Sequence, residues 1–87
     1  MSYTYILYSE SIDKYYIGHT SQTLNERLKK HNSNHKGFTG KTNDWKVKYF
    51  ENFSSKTEAY KRELQIKRRK SRNYIEKLIT QFEHPDS

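Results

Sequence analysis

The chain has 87 residues, with eight tyrosines, four phenylalanines, one tryptophan and no cysteine, and its formal net charge at pH 7 is +7. A chain this short forms one domain with a single modest core, and the lack of cysteine excludes disulfide frameworks and thiolate zinc sites. Only 31% of the residues are hydrophobic, but the large aromatic side chains can bury enough area for a folded domain.

Two short strands are predicted at the start of the chain. Residues 3–8 are rich in β-formers and would form the first strand, with its odd-numbered side chains on one face. A polar connection follows, and residues 15–18 would form a second strand that pairs with the first as an antiparallel hairpin. Gly18 ends this second strand at a point where the backbone must turn or another group must approach closely.

A first helix is predicted to follow this hairpin. Thr23 and Glu26 form a capping box, which favours a helix from residue 24 to about residue 31. Helical periodicity puts Arg27 and His31 on the same stripe as the two leucines of this segment. These two side chains either lie at the rim of the core as structural residues or belong to a polar site at its edge.

A polar loop and a third strand occupy the middle of the chain. Residues 33–44 contain two glycines and one phenylalanine, and they predict a loop long enough to grip a ligand. Residues 45–53 predict the third strand. In this strand Trp45, Val47 and Tyr49 alternate with lysines, which is typical of a strand with one buried face.

Two further helices are predicted in the last third of the chain. Ser55 and Glu58 form a second capping box, which opens helix 2. Helix 3 runs from about residue 72 to residue 82 and carries an apolar stripe that should pack on the sheet, comprising Tyr74, Ile75, Leu78, Ile79 and Phe82. Residues 84–87 are expected to be a short tail, which leaves residues 1–83 as the domain.

Glu63 falls inside the predicted apolar arc of helix 2, which comprises Ala59, Tyr60, Leu64 and Ile66. A carboxylate in such a position loses solvation unless it is paired, hydrogen-bonded or bound to a cation. The structural interpretation is a salt bridge to Arg27, Arg62 or Lys67. The functional interpretation is a metal ligand at the rim of the sheet.

Positive charge is concentrated in the two C-terminal helices. Residues 56–77 carry nine of the lysines and arginines and only three acidic residues. The densest run comprises Lys67, Arg68, Arg69 and Lys70, with Arg72 just after it. Such a run repels itself unless a polyanion lies opposite, and nucleic acid is the commonest such partner. The alternative is a solvated helix end.

The order of these elements and the spacing of their polar residues resemble the GIY-YIG nuclease family, and most closely its small stand-alone bacterial members. Tyr16, Ile17 and Gly18 match the second half of the family's name, and Tyr5 is the residue kept from the first half. The other matching positions are Thr20, Arg27, His31 and the run 58–67, whose Glu63 sits at the family's metal-binding glutamate. The resemblance covers nearly the whole chain.

This resemblance implies an α/β (α+β) fold in which helices flank a small three-stranded antiparallel sheet, in the order β-β-α-β-α-α. It also implies an endonuclease that hydrolyses phosphodiester bonds, usually in DNA, with one Mg²⁺ or Mn²⁺ ion held by Glu63 and otherwise by water and phosphate. On the same basis, Tyr5 would take the base-like role and His31 would receive or steer the proton. Tyr16 would orient the water or phosphate, and Arg27 would offset charge on the phosphate.

Larger members of this family carry separate DNA-binding domains that this chain lacks, so we expect weak sequence specificity, with single-stranded and branched DNA as candidate substrates beside duplex. DNA repair or recombination is the setting that the resemblance implies. The alternative function is a catalytically silent nucleic-acid-binding module with the same fold. Without a secretory signal or a membrane-length apolar run, we expect a cytoplasmic protein with no membrane partner, either a monomer or a weak dimer.

Overall fold

Runs of β-formers and hydroxyl caps divide the chain into strands and helices, and a computed structural model describes residues 1–33 and 37–85. Within these residues there are three strands, three α-helices and one 3₁₀ helix. They are β1 (Ser2–Ser9), β2 (Lys14–Thr20), α1 (Leu24–His31), the 3₁₀ helix (Phe38–Lys41), β3 (Lys46–Phe53), α2 (Lys56–Arg69) and α3 (Arg72–Glu83). The order of strands and α-helices, β-β-α-β-α-α, confirms the predicted α+β fold.

Each α-helix begins at a hydroxyl side chain that caps it. The oxygens of Thr23, Ser55 and Ser71 each accept the backbone N–H of the residue three positions later, at 3.1 to 3.2 Å. The first two belong to the predicted capping boxes, whereas Ser71 lacks an acidic residue three positions on. Lys70 takes a left-handed backbone conformation with φ 47°, which ends α2 and lets α3 begin two residues later.

β1 is the central strand of the sheet, because the strand order is β2-β1-β3 and both pairs are antiparallel. Tyr5 lies opposite Gly18 of β2, and Ile6 lies opposite Ile17. Consecutive side chains of β1 point to opposite faces, yet Tyr5, Ile6 and Leu7 are all buried. Both faces of the sheet are therefore covered at this strand, which explains its apolar run.

A β-bulge in β3 changes which of its side chains share a face. Ile6 of β1 lies opposite Tyr49, but the next residue, Leu7, lies opposite Val47, so Lys48 is the extra residue. Val47 and Tyr49 consequently pack into clusters on opposite sides of the sheet. The predicted regular alternation along this strand is therefore wrong at Tyr49.

The buried side chains form two clusters, one on each side of the sheet. On one side α2 and α3 cover a cluster made of Ile6, Ile17, Tyr49, Ile66 and Ile79. On the other side the leucines of α1 pack against a cluster made of Tyr5, Leu7 and Trp45. Because the sheet lies between two layers, a polar group beside β1 is removed from water on either face.

The predicted stripe of α3 packs against the first cluster through four of its five side chains, Tyr74, Ile75, Leu78 and Ile79. The fifth, Phe82, is 42% exposed. Its ring meets the rings of Tyr49 and Phe50 edge-on, with centroids 5.3 and 5.2 Å away. The stripe therefore reaches solvent at the last turn of the helix.

The buried face of α2 is rotated relative to the predicted apolar arc. Ala59 and Ile66 are buried as predicted, whereas Tyr60 is 46% exposed and Leu64 is half-buried. Glu63 is only 7% exposed, so the carboxylate faces the sheet, as predicted, while the tyrosine one turn before it faces out. Tyr60 therefore does not belong to the buried face, although it was predicted to lie in the apolar arc.

Two predicted irregular segments lie partly outside the described residues. The segment predicted as a loop, residues 33–44, contains the 3₁₀ helix, but its residues 34–36 are not among those described. The predicted tail begins after α3, and its last two residues, 86 and 87, also lie outside. None of the helices in the described ranges combines the length and apolar character needed to cross a membrane.

Candidate active site

The register of β1 and β2 sets Tyr5 directly opposite Gly18. A Cβ at position 18 would lie 2.6 Å from the Tyr5 hydroxyl oxygen, 2.8 Å from its Cζ and 3.0 Å from the Tyr16 ring. No real Cβ tolerates such distances, and the aromatic rings cannot move aside within a packed core. Glycine is therefore needed at position 18 because two tyrosines crowd it.

The Tyr5 hydroxyl is the centre of a buried chain of hydrogen bonds, which we call the relay cluster. Its oxygen is 2.7 Å from His31 Nε2, and Arg27 Nε donates a hydrogen bond to it at 3.3 Å. On the far side of the imidazole ring, His31 Nδ1 is 2.9 Å from the hydroxyl oxygen of Thr39. If the Tyr5 hydroxyl donates its proton to His31 Nε2, the neutral imidazole carries its own proton on Nδ1 and donates it to Thr39. In this arrangement each of the three hydrogen bonds has one donor and one acceptor.

Burial controls the protonation of Tyr5, which is 1% exposed. Desolvation raises the pKa of its hydroxyl to about 12, and the neighbouring Arg27 guanidinium offsets only part of this effect. Nearby Tyr16 and Glu63 raise the pKa further. Tyr5 is therefore neutral at physiological pH and holds a proton that His31 is positioned to accept.

Tyr16 adds a second hydroxyl on the same side of the sheet. Its ring centroid lies 4.9 Å from the His31 ring and 6.5 Å from the Tyr5 ring. The half-buried Tyr16 ring also stacks on Phe38 of the 3₁₀ helix, with centroids 6.3 Å apart. Its hydroxyl makes no hydrogen bond to any residue that the structure describes, so it can bind a water molecule or an anion.

Glu63 is held by two basic side chains, and we call these three residues the carboxylate cluster. Glu63 Oε1 is 2.7 Å from His19 Nδ1, and Lys67 Nζ donates to Oε2 at 2.6 Å. Of the salt-bridge partners predicted from the sequence, Lys67 is therefore confirmed. Arg62 instead pairs with Glu51 at 2.9 Å, and Arg27 donates to Tyr5.

His19 is the partner of Glu63 that sequence reasoning missed. The prediction ends the second strand at Gly18, whereas β2 continues to Thr20. One more strand position puts His19 on the same face as Ile17, which is the face that α2 covers. If the second strand had been predicted to continue through His19, its side-chain alternation would have placed His19 on the same face as Glu63.

The two clusters meet at the edge strand β2. Lys67 binds Glu63 through its ammonium group, and the same group lies 6.0 Å from the centroid of the Tyr16 ring. Glu63 is also close enough to influence the pKa of Tyr5. The site thus combines a hydroxyl relay, an arginine and a buried carboxylate along one edge of the sheet.

The donor set around Glu63 suits a hard divalent cation that keeps most of its water. Among the residues that the structure describes, no group of three or more His, Cys, Asp or Glu side chains could hold a metal ion. Mg²⁺ commonly binds one or two carboxylates, with water and phosphate at its other positions. A carboxylate has about four acceptor positions, and Lys67, whose side chain is 45% exposed, can move away from Oε2.

The five basic residues predicted to bind nucleic acid are all exposed, but three of them also contact other side chains of the fold. Lys67 belongs to the carboxylate cluster, and the Arg69 guanidinium stacks on the Tyr74 ring at 4.3 Å. Arg72 donates to Asp13 at 2.5 Å and to Glu76 at 3.3 Å, and it covers the ring of Tyr15. The remaining two, Arg68 and Lys70, are exposed and make no ion pair within the described ranges.

Residues 1–76 match the family model of the GIY-YIG catalytic domain. The matched range contains every residue of the relay and carboxylate clusters and stops within α3. Neither the curated proteins nor the solved structures give a significant match.

Proposed function

The chain belongs to the GIY-YIG family, and on that basis we propose that it is a divalent-metal-dependent endonuclease that acts on DNA with weak sequence specificity. Members of the family are nucleases, so nuclease activity and a nucleic-acid partner are implied in general. The observation that carries the specific proposal is the buried 2.7 Å contact between the Tyr5 hydroxyl and His31, beside Arg27.

The proton path follows from the protonation of Tyr5. With a pKa of about 12, Tyr5 can accept a proton from water only while its own proton leaves. One O–H bond of the water breaks, its proton passes to Tyr5, and the proton of Tyr5 passes to Nε2 of His31. His31 becomes an imidazolium that keeps its hydrogen bond to Thr39. The hydroxide attacks phosphorus, the bond between phosphorus and the leaving 3′ oxygen breaks, and this oxygen takes a proton from solvent water, while His31 later releases its proton to solvent.

Tyr16 and Arg27 would hold the reacting groups in place. The hydroxyl of Tyr16 has no hydrogen-bond partner among the described residues, and it lies on the same side of the sheet as the relay cluster, so it can orient the water or a phosphate oxygen. Arg27 uses only its Nε to donate to Tyr5. Its other N–H groups remain to neutralise negative charge that grows on the nonbridging oxygens.

Glu63 would hold the divalent ion, Mg²⁺ or Mn²⁺, with water and phosphate as the other ligands. Such an ion would supply positive charge at the scissile phosphate and at the leaving oxygen. His19 keeps the carboxylate oriented from the side of Oε1. Lys67 would exchange its contact with Glu63 for one with a substrate phosphate, since its ammonium is exposed enough to move.

Weak sequence specificity is supported by the kind of side chain that surrounds the site. Apart from Glu58, the exposed charges of α2 are lysines and arginines, which can bind phosphates, and contacts to phosphates carry no base information. Such contacts give affinity that falls with salt and is similar for all sequences. Cytoplasmic location and a role in repair or recombination are part of this proposal.

The decisive experiment uses Glu63→Gln, an isosteric change that keeps the shape of the side chain and one acceptor oxygen but removes the charge and replaces the second acceptor with an NH2 donor. We expect this variant to bind oligonucleotides at least as well as wild type, because one negative charge near the phosphates is removed. Cleavage with Mg²⁺ or Mn²⁺ should be abolished, and any rise in the unfolding temperature caused by these ions should disappear. Unfolding curves, binding and cleavage are measured on the same preparation.

Glu51→Gln is the matched control, because Glu51 is also a half-buried carboxylate in an ion pair, with Arg62, but lies outside both clusters. It should cut at the wild-type rate. If Glu63→Gln cuts as fast as wild type, the assigned metal ligand is wrong. If wild type itself binds nucleic acid but never cuts it, the chain is the catalytically silent binding module instead.

A further inference from the structure

Tyr60 is an aromatic side chain that α2 turns toward solvent next to the carboxylate cluster. It is 46% exposed, and its hydroxyl bonds to no described residue. Its ring contacts the His19 ring, with centroids 5.1 Å apart and planes inclined by 54°. The other exposed phenyl rings of the described ranges, Phe38 and Phe82, lie against aromatic neighbours inside the fold.

Two shallow grooves meet at Tyr60. One has a volume of about 320 Å³ and is lined by His19, Lys56, Thr57 and Tyr60. The other, of about 470 Å³, is lined by Thr57, Tyr60, Lys61, Leu64, Gln65 and Arg68. Both fall within the size range of small-molecule sites, and Thr57 and Tyr60 line both of them.

The grooves are flanked by positive charge that the fold does not neutralise. Lys56, Lys61 and Arg68 make no ion pair with any residue in the described part of the chain. Glu58, the acidic residue between Lys56 and Lys61, accepts hydrogen bonds from the serines at the start of α2. This pattern of cations around an exposed aromatic ring complements a phosphate backbone whose bases can stack.

The grooves also adjoin the proposed active site. Tyr60 precedes Glu63 by three residues, so helical geometry puts the two side chains about one turn, roughly 4.5 Å, apart along the axis. His19 connects them directly, since its Nδ1 contacts Glu63 and its ring contacts Tyr60. A nucleotide whose base lies on Tyr60 would therefore lie next to the carboxylate cluster.

We propose that Tyr60 is a stacking platform for an unpaired nucleobase, with Lys56, Lys61 and Arg68 binding the adjoining phosphates, so that this chain prefers single-stranded nucleic acid. The inference rests on the proposed function and specifies its substrate. Stacking selects unpaired bases because both faces of a base inside a duplex are already covered by neighbouring bases. The chemistry is shared by DNA and RNA, since every base offers a π-face.

Binding of short fluorescent oligomers in EDTA tests this inference without cleavage. The probes are oligothymidylate, oligouridylate, an abasic oligomer of the same charge and a blunt duplex. Tyr60→Leu should weaken binding of the two base-containing single strands by roughly five- to a hundredfold. Binding of the abasic oligomer and the duplex should not change, and Tyr60→Phe, which keeps the ring, should bind all four probes like wild type.

Phe82→Leu is the control variant, because Phe82 has a similar exposure but lies on α3 outside both grooves. It should leave all four affinities unchanged. A second measurement needs no variant: a single 2-aminopurine in a bound thymidylate strand should lose fluorescence when it stacks on the wild-type protein. This signal keeps the inference testable even if Tyr60→Leu folds poorly.

Each outcome separates the inference from the function on which it rests. Suppose that wild type cuts nucleic acid. If Tyr60→Leu then binds base-containing single strands as tightly as wild type does, or if it loses as much affinity for the abasic oligomer as for those strands, the stacking platform is wrong while the nuclease proposal stands. If 2-aminopurine stays bright in the complex, the platform is also wrong. If wild type binds none of the probes, the proposed function itself fails.

Discussion

Tyr5 shows how the surroundings of a single side chain define its chemistry. An exposed tyrosine is almost entirely protonated at neutral pH and is therefore a poor base. Burial lowers the ionised fraction of Tyr5 further by raising its pKa to about 12. The same burial holds its hydroxyl at 2.7 Å from His31 and opposite Gly18. The residue is therefore suited to pass a proton on, and poorly suited to exist as a tyrosinate.

Removing the hydroxyl of Tyr5 or Tyr16 should stop the chemistry and leave the fold intact. Tyr5→Phe and Tyr16→Phe keep the packed rings, so we expect folded proteins that cut more slowly by a factor on the order of 10²–10⁴. Tyr8→Phe, which loses only an exposed hydrogen bond to Asp13, is the control and should cut normally. Wild-type rates for both Tyr5→Phe and Tyr16→Phe would refute the assigned roles.

The raised pKa of Tyr5 also predicts how stability depends on alkaline pH. In the unfolded chain the hydroxyl ionises near pH 10, but in the fold it stays neutral up to about pH 12. The unfolded state therefore binds fewer protons in this window, and stability should fall as pH rises from 10 to 12.

In Tyr5→Phe, the free energy of unfolding should fall by roughly 2 kcal/mol less between about pH 10 and pH 12 than in wild type. Urea unfolding at several pH values measures this difference. Tyr49, whose pKa is also raised to about 12 by burial and by Glu51, contributes to the same window. Tyr49→Phe measures its share. An unchanged decline in Tyr5→Phe would mean that the hydroxyl is not buried as described.

At the scale of elements, Asp44 ties together the chain segments that support the relay cluster. Its carboxylate accepts hydrogen bonds from the Ser9 hydroxyl at 2.5 Å, the Ser11 N–H at 2.9 Å and the Thr42 hydroxyl at 2.8 Å. These bonds join the end of β1 to the segment that precedes β3. That segment includes Thr39, which contacts His31.

Asp44→Asn should lower the unfolding temperature at neutral pH, and the effect should shrink in acid. The hydroxyl and amide donors hold the pKa of Asp44 well below its usual range. A depressed pKa means that its contribution is present above about pH 4, where the unfolded carboxyl ionises, and is lost as pH falls below that value. Glu10→Gln, which removes the same charge, is the control. Equal effects at pH 7 and pH 3 would show that the charge is unimportant.

At the scale of the whole molecule, the net charge of +7 divides into cations that hold the fold together and cations that remain for a partner. Arg72 connects α3 to the turn between β1 and β2 through Asp13, and Arg62 connects α2 to β3 through Glu51. Arg68 has no such role within the described residues. Charge density along the sequence therefore counts some cations that are already paired with acidic side chains of the fold.

This division predicts different effects when Arg68 and Arg72, which are four residues apart, are replaced by alanine. Arg68→Ala should weaken oligonucleotide binding and reduce the slope of log affinity against log salt by roughly 0.7–0.9. Arg72→Ala should leave that slope unchanged and instead lower the unfolding temperature, because Asp13 and Glu76 lose their partner. Affinities measured across a salt series, beside thermal unfolding, test both; a reduced slope for Arg72→Ala alone would reverse the assignment.

The sequence by itself determined the order of the elements, and it predicted most of the residues that the structure brings together at the candidate site. Alternation, helical periodicity and capping boxes act between residues a few positions apart, so Thr23 and Ser55 mark two helix starts correctly. Burial of Glu63 also followed from its place among apolar neighbours on one helix. The resemblance to the family added the identity of the site residues, and the family match agrees with it.

Only the tertiary structure decided which distant residues meet. The contact between His19 and Glu63 joins positions 44 residues apart, and the bond between Asp13 and Arg72 joins positions 59 apart. A bulge at Lys48 moved Tyr49 to the opposite face, and rotation of α2 turned Tyr60 out to solvent. Local patterns cannot fix a bulge or the rotation of a helix on a sheet, because both depend on how the packed layers fit together.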